Sequence, residues 1–170
     1  MTARPVRATL GVVAAVQLAL VGVAVAGPLS ARVTGEEYLL KVLPVDPVDP
    51  FRGAYVSLSY PTLHVPAGQD DTGGSPVAPG ETGPVFVPLV RDGAHWVGGP
   101  GTRTRPGSGP YLRCDDSSWT LRCGIESWFL PQDRAVEVQD AVVRGDAVAR
   151  VRVDGRGNAA LVGLEVSPAG

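Results

Sequence analysis

Few side chains in this 170-residue chain are placed to do acid–base or nucleophilic chemistry. Glu126 lies between Ile125 and the aromatic pair Trp128-Phe129. If buried there, an ionised carboxylate needs a partner, since an unpaired buried charge is strongly unfavourable. Working beside Asp46 or Asp49 it would make an acid and base pair for hydrolysis. Both aspartates precede prolines, in Asp46-Pro47 and Asp49-Pro50, so turn formation also accounts for them. For Glu126 the structural alternative is an ion pair with Arg52 or a hydrogen bond from a tyrosine hydroxyl. Acyl transfer would need a serine such as Ser57 or Ser59 activated by a base, and the bases on offer are His64, His95 and the single lysine, Lys41. No serine motif accompanies them. Cys114 and Cys123 are too few for a zinc site, which wants four protein ligands or three plus water. Asp70-Asp71 and Asp115-Asp116 lack the spaced acidic loop of a calcium site. The expectation is a protein without a defined catalytic activity, cofactor or metal.

The elements that position these groups begin with a long apolar run. From Ala8 to Gly27 the only polar side chains are Thr9 and Gln17, with Arg4 and Arg7 before the run and Pro28 after it. A helix of that length rises roughly 30 Å, enough to cross the hydrocarbon core while satisfying its own backbone. The arginines predict that residues 1–7 stay cytoplasmic and that the remainder is exported. Ala24-Val25-Ala26 also fits a signal cleavage site, but the run exceeds the roughly 7–15 residues of a signal core. An uncleaved anchor over 8–28 is therefore expected, with cleavage after Ala26 as the alternative. Residues 29–170 then form one extracytoplasmic domain. Residues 28–170 hold 13 of the 15 basic side chains and all 17 acidic ones, a formal charge of −4. That balance excludes the basic footprint of a nucleic-acid binder and is the wrong sign for anionic lipid. In an exported segment Cys114 and Cys123 are expected to pair.

The domain reads as β-rich α+β. Glu37 to Leu43 and Ala54 to Tyr60 alternate as strands. Tyr38, Leu40 and Val42 share one face of the first, and Ala54, Val56, Leu58 and Tyr60 one face of the second. Val85–Val90 and Ala94–Val97 flank Asp92-Gly93 as a hairpin. A second hairpin is predicted from Tyr111–Cys114 and Trp119–Cys123, and a third from 147–153 and 159–166 around Asp154-Gly155-Arg156-Gly157-Asn158. Pro131 opens a short helix to about Val142. Residues 66–84 and 98–110, dense in glycine and proline, are expected to be mobile loops, with Arg103 and Arg105 as solvated charges. About eight mostly antiparallel strands and one helix suggest a barrel- or sandwich-like body.

Gly53, Tyr55, Leu58 and Tyr60 reproduce the pattern G-D-Y-x-x-L-x-Y, with Ala54 in place of the aspartate. Pro44-Val45-Asp46-Pro47 precedes them, and Gly124-Ile125-Glu126 with Trp128-Phe129-Leu130-Pro131 forms a second block. Over about residues 36–166 the chain resembles the GDYXXLXY family of small bacterial membrane-anchored proteins. The resemblance implies an architecture and an envelope location and brings no catalytic residues. Because relatives are often found beside polytopic membrane proteins, it also makes such a partner the expectation.

Taken together, these features point to a single-pass interaction module or accessory subunit, partnered by the bilayer through 8–28 and by another membrane protein. Its candidate surface is the loop carrying Asp46, Asp49, Arg52 and Gly53, with Tyr55. Leu58, Tyr60, Gly124, Glu126 and Phe129 complete the candidate set. The rivals are a hydrolase built on Glu126 with Asp46 or Asp49, and a carrier holding an apolar ligand inside a closed barrel.

Overall fold

The computed structural model describes residues 3–44, 55–60, 63, 80–118, 120–129 and 147–166. Helix α1 spans Ala3–Thr34. Its stretch Thr9–Thr34 is long and apolar enough to cross a membrane, and Leu10, Val12, Val16, Leu18, Leu20 and Val23 stand exposed along it. The helix continues past Pro28, beyond the 8–28 expected of the anchor. A proline in a helix interior forfeits a backbone bond and costs about 3 kcal/mol. Here the last turns persist because one face, Gly27, Ser30 and Ala31, rests on the sheet, with Ala31 fully buried. These positions are spaced i, i+3, i+4, so they share a side of the helix.

Gly35 closes α1 by donating its N–H to the Ala31 carbonyl at 2.9 Å. A Cβ at this position would stand 2.3 Å from that carbonyl oxygen and 2.9 Å from the Val153 backbone, so only glycine lets the chain turn this tightly onto the sheet. Strand β1 (Glu36–Lys41) follows, then β2 (Leu43–Pro44), β3 (Tyr55–Ser59), β4 (Pro84–Asp92), β5 (His95–Gly98), β6 (Tyr111–Asp115), β7 (Ser127–Phe129), β8 (Ala147–Val153) and β9 (Ala159–Val166). Six of them form a mixed sheet in the order β6-β4-β5-β1-β8-β9; β1 and β5 run parallel, and the other pairs are antiparallel. The remaining three form a small antiparallel sheet, β2-β3-β7.

The alternation read from the sequence sets the inward face. Tyr38, Leu40 and Val42 are buried, as are Leu58 and Tyr60, and they join Val85, Val87, Leu112, Ile125 and Val151 in one core. The body is β-rich with a single N-terminal helix among the described residues, but the six-stranded sheet is not a closed barrel. Its ends meet where the Arg113 N–H donates to the Gly157 carbonyl at 2.8 Å and the Tyr111 hydroxyl to the Gly155 carbonyl at 3.2 Å. Those bonds reach the β8–β9 turn and not a strand, so the sheet curls without a closing ladder.

Two hairpin expectations need correction. Asp92 pairs with His95, so the β4–β5 turn is Gly93-Ala94, with Gly93 at φ +63°, one residue later than Asp92-Gly93. After β6 there is no second full arm among the described residues. A single bridge, Asp115 with Arg122, stands in its place, with both N–H···O distances 2.8 Å. The third hairpin, β8–β9, has the boundaries expected. The helix predicted from Pro131 to Val142 and most of the loop 66–84 lie outside the described residues.

Residues 98–110 are fastened to the sheet. Thr102 bridges Phe86 of β4 and is buried. Arg103 is no solvated charge: it grips Asp116 with two bonds of 2.8 and 3.1 Å and donates to the carbonyls of Glu81, Gly83 and Pro84. Desolvation alone would raise the Asp116 carboxyl, but the bonds from Arg103 and the Gly83 amide outweigh it and hold it below the usual range. This use of Asp116 accounts for one half of the Asp115-Asp116 pair that had been weighed for calcium.

Candidate functional site

The two signature blocks, far apart in the chain, meet in the small sheet. β3 is its central strand, and Tyr55 pairs with Phe129, Val56 with Trp128 and Ser57 with Ser127. The Leu58 N–H continues the contact by donating to the Glu126 carbonyl at 2.8 Å. Leu58 and Tyr60 both point into the core, and the Tyr60 hydroxyl donates to the Ile125 carbonyl at 2.9 Å. Burial, and then the nearby Glu126 charge, push the Tyr60 phenol far above its ordinary value.

Glu126 meets backbone amides, while Arg52, its expected ion-pair partner, lies outside the described residues. Both its carboxylate oxygens accept the Gly124 N–H at 3.1 Å, and one also accepts the Cys123 N–H. The side chain folds back over a tight turn in which Gly124 has φ +82°. These bonds from the turn amides position the chain around Glu126. Cys123 opens the same turn and is bonded to Cys114 of β6, with S–S 1.99 Å. The disulfide thus ties β6 of the large sheet to this turn, and the Glu126 cap and the Tyr60 bond fix the turn to the small sheet.

Asp46, Asp49, Arg52 and Gly53 lie outside the described residues, within the connection 45–54 that joins β2 to β3. His64 lies outside as well. His95 stands opposite Asp92 across the β4–β5 turn, and Lys41 is exposed at the end of β1. The structure therefore gathers Tyr55, Leu58, Tyr60, Gly124, Glu126 and Phe129 around one strand pairing.

A second node went unnoticed in the sequence. Asp154 in the β8–β9 turn is buried, and its carboxylate accepts the Ser30 hydroxyl of α1 at 2.6 Å, the Asn158 side-chain amide at 2.8 Å, and the backbone N–H groups of Arg156 and Asn158 at 2.9 and 3.0 Å. Arg152 of β8 reaches the Gly35 carbonyl at 3.1 Å and also the Arg32 carbonyl, covering the end of α1. Across the turn, Gly157 has φ +80°, and a Cβ there would stand 2.5 Å from the Tyr111 ring. One turn therefore holds the helix on one side and β6 on the other. The readable signal was Asp-Gly-x-Gly-Asn, where an aspartate can bond the amides that follow it.

Beside this node an open cavity of about 380 Å³ is lined by Thr34, Glu36, Tyr38, Tyr111 and Asp154, among others. The Tyr38 hydroxyl donates to Glu36 at 2.9 Å. Burial, followed by that bond and the Glu36 charge, raises the Tyr38 phenol to about 12. Carboxylates in the wall suit polar contents better than an apolar cargo.

The model of the GDYXXLXY protein family matches residues 17–164, most of the chain. The chain is a member of the GDYXXLXY family. No curated protein and no solved structure matches it. For this GDYXXLXY protein the matched region begins within α1 and runs through β9 almost to its end, so it takes in the docked end of the helix as well as both sheets. The signature from which the family takes its name coincides here with β3, and its second block with the Cys123–Glu126 turn and β7.

Proposed function

We propose that this GDYXXLXY protein is a membrane-anchored accessory subunit without catalysis of its own. Its α1 crosses the bilayer over 8–28, its domain lies outside the cytoplasm, and the loop 45–54 with Tyr55 meets another membrane protein. The observation that carries the reading is the construction of the helix end into the sheet through Ser30, Ala31 and Gly35. Such a joint transmits the orientation of the anchor to the domain, which is useful to a subunit that must meet a partner in the membrane plane. An unbroken helix through Ala26 supports an uncut anchor, and the paired cysteines support an oxidising compartment. The hydrolase rival loses support because Glu126 is engaged by backbone amides.

Photo-crosslinking in intact cells tests this. A photoreactive residue placed at Asp49 should give adducts with one polytopic membrane protein, and the same residue at Arg91 should not. Equal, scattered labelling from both positions, or recovery of the native full-length chain from soluble cytosol with reduced thiols, overturns the proposal.

A further inference from the structure

The joint between helix and sheet also fixes which corner of the domain meets the lipid, an inference that rests on the anchoring proposed above. The apolar run ends at Gly27. At about 1.5 Å per residue, Ser30 lies roughly 4.5 Å and Thr34 roughly 10 Å beyond it. The headgroup layer on each side of the hydrocarbon is about 5–8 Å deep. Whatever packs on Gly27 and Ser30 therefore sits at headgroup depth, and that is the β8–β9 turn. The Asn158 side-chain oxygen stands 3.3 Å from where a Gly27 Cβ would be, and Arg156 donates to the Ser30 hydroxyl at 3.2 Å.

The charges gathered there are mostly positive. The Arg156 side chain is 73% exposed. Arg105 is exposed too, its guanidinium held over the Tyr111 ring at 5.4 Å and bonded to the Gly155 carbonyl of the same turn at 2.6 Å. Arg32 projects from α1 at the same depth and is exposed. The one carboxylate in the node, Asp154, is buried, and its oxygens are engaged by Ser30, Asn158 and the turn amides. Arg105 uses one terminal nitrogen for its protein bond; Arg156 uses one on Ser30 and holds its Nε 3.9 Å from Asp154, and since a guanidinium has five donors, each keeps N–H groups for a ligand.

We infer that Arg32, Arg105 and Arg156 form a clamp for the phosphate of anionic lipid headgroups in the leaflet where α1 emerges. The overall charge of −4 on residues 28–170 does not oppose this, because charges beyond a Debye length of about 8 Å are largely screened while these arginines touch the headgroup layer. Guanidinium groups bind phosphate with charge-assisted, often bidentate bonds. Their anchoring on Gly155, Ser30 and Tyr111 fixes them before any lipid arrives, which lowers the ordering cost of binding.

The test uses the full-length chain in nanodiscs of phosphatidylcholine and phosphatidylglycerol at four to one, with co-purified lipids counted by native mass spectrometry. Incorporation into the disc is scored first, and a chain that stays out removes the anchoring reading together with this one. Among incorporated chains the wild type should retain phosphatidylglycerol and phosphatidylcholine in a ratio about fivefold above the bulk ratio. The Arg105→Gln/Arg156→Gln variant should fall toward the bulk share, and Arg105→Lys/Arg156→Lys should keep most of the enrichment. Bulk-share retention by the wild type, or undiminished enrichment in the glutamine variant, overturns the clamp while leaving the anchor standing. Inorganic phosphate added to the detergent should leave the enrichment in place. Its loss would assign the arginines to a free anion and overturn the lipid assignment.

Discussion

Separating α1 from the β8–β9 turn should be possible with two small substitutions whose effects do not add. The Asp154 carboxylate accepts four hydrogen bonds, of which the Ser30 hydroxyl supplies the shortest at 2.6 Å. A hydrogen bond to a charged group contributes about 1.5–3 kcal/mol by deletion. In Asp154→Ala the freed turn amides of Arg156 and Asn158 can turn to water, so the loss should be about 3 kcal/mol and not the sum of four bonds. Ser30→Ala removes one of the same bonds and should cost about 1.5 kcal/mol. The double variant then loses about 3 kcal/mol, leaving a coupling of about 1.5 kcal/mol between residues 124 positions apart in sequence. At about 2–4 °C per kcal/mol for a chain of this size, the melting temperature should drop by about 3–6 °C for Ser30→Ala and by about 6–12 °C for Asp154→Ala and the double variant. Thermal unfolding of the full chain in detergent micelles, followed by the fluorescence of Trp96 and Trp128, reads all three. Acidity gives an internal control. Burial by itself would raise the Asp154 carboxyl, but the bonds from Asn158, Ser30 and the turn amides outweigh it and hold it below the usual range. The unfolded chain therefore takes up this proton first as the pH falls, so the contribution is complete above about pH 5 and fades below about pH 4. The gap between wild type and Asp154→Ala should close in that window. Additive single effects, or a gap unchanged at pH 3, would refute the view that this carboxylate fastens the helix.

Two further outcomes concern the joint between the sheets. The disulfide joins cysteines nine positions apart, and closing so short a loop stabilises by about 2.5 kcal/mol; a reductant should lower the melting temperature by about 5–10 °C, and an unchanged melt would show that the bridge constrains nothing. Tyr60→Phe strands the Ile125 carbonyl and should cost about 1–2 kcal/mol. Because the Tyr60 phenol is raised in the folded state, its contribution is complete below about pH 10 and lost above it as the unfolded phenol ionises first, so the variant should lose less stability than wild type between pH 10 and 11. A wild type and a variant with parallel alkaline profiles would contradict that.

Local periodicity made much of the scaffold legible. The alternation grouped Tyr38, Leu40 and Val42 on one face, and Leu58 and Tyr60 on another, because a strand offers each face every second residue; which face of the first strand is buried was not readable, since Leu39 and Leu43 make its other face apolar as well. The β8–β9 hairpin was readable to the residue for the same reason, with glycines marking its turn. Closure of the sheet was not readable, since it depends on how far strands twist and on whether β6 and β9 find each other, and neither leaves a local pattern. That α1 continues past Pro28 to Thr34 was not readable, because the proline's local cost is overridden by contacts with residues more than a hundred positions away. The same applies to Arg103: a glycine- and proline-rich neighbourhood suggested solvent, while its partner Asp116 lay beyond the next strand. Glu126 accepts bonds from the backbone amides of its own turn, which composition does not report, while its expected partner Arg52 lies outside the described residues.

The pattern that identifies the family has a physical reason in this chain. Leu58 and Tyr60 fill the core, Tyr55 pairs with Phe129, and Glu126 holds the turn that carries the disulfide. These are the demands of joining two sheets: an apolar side chain, a buried hydroxyl aimed at a carbonyl, a glycine at positive φ and a carboxylate over two amides. Ala54, standing where the pattern has aspartate, lies outside the described residues, and the described contacts of the joint run through Tyr55, Leu58 and Tyr60. What the joint secures is the base of the connection 45–54, and what the Asp154 node secures is the angle at which that base stands on α1. A stiff support under one loop and a stiff seat on one helix fit the proposed accessory subunit, which would present that loop at a set height above the bilayer.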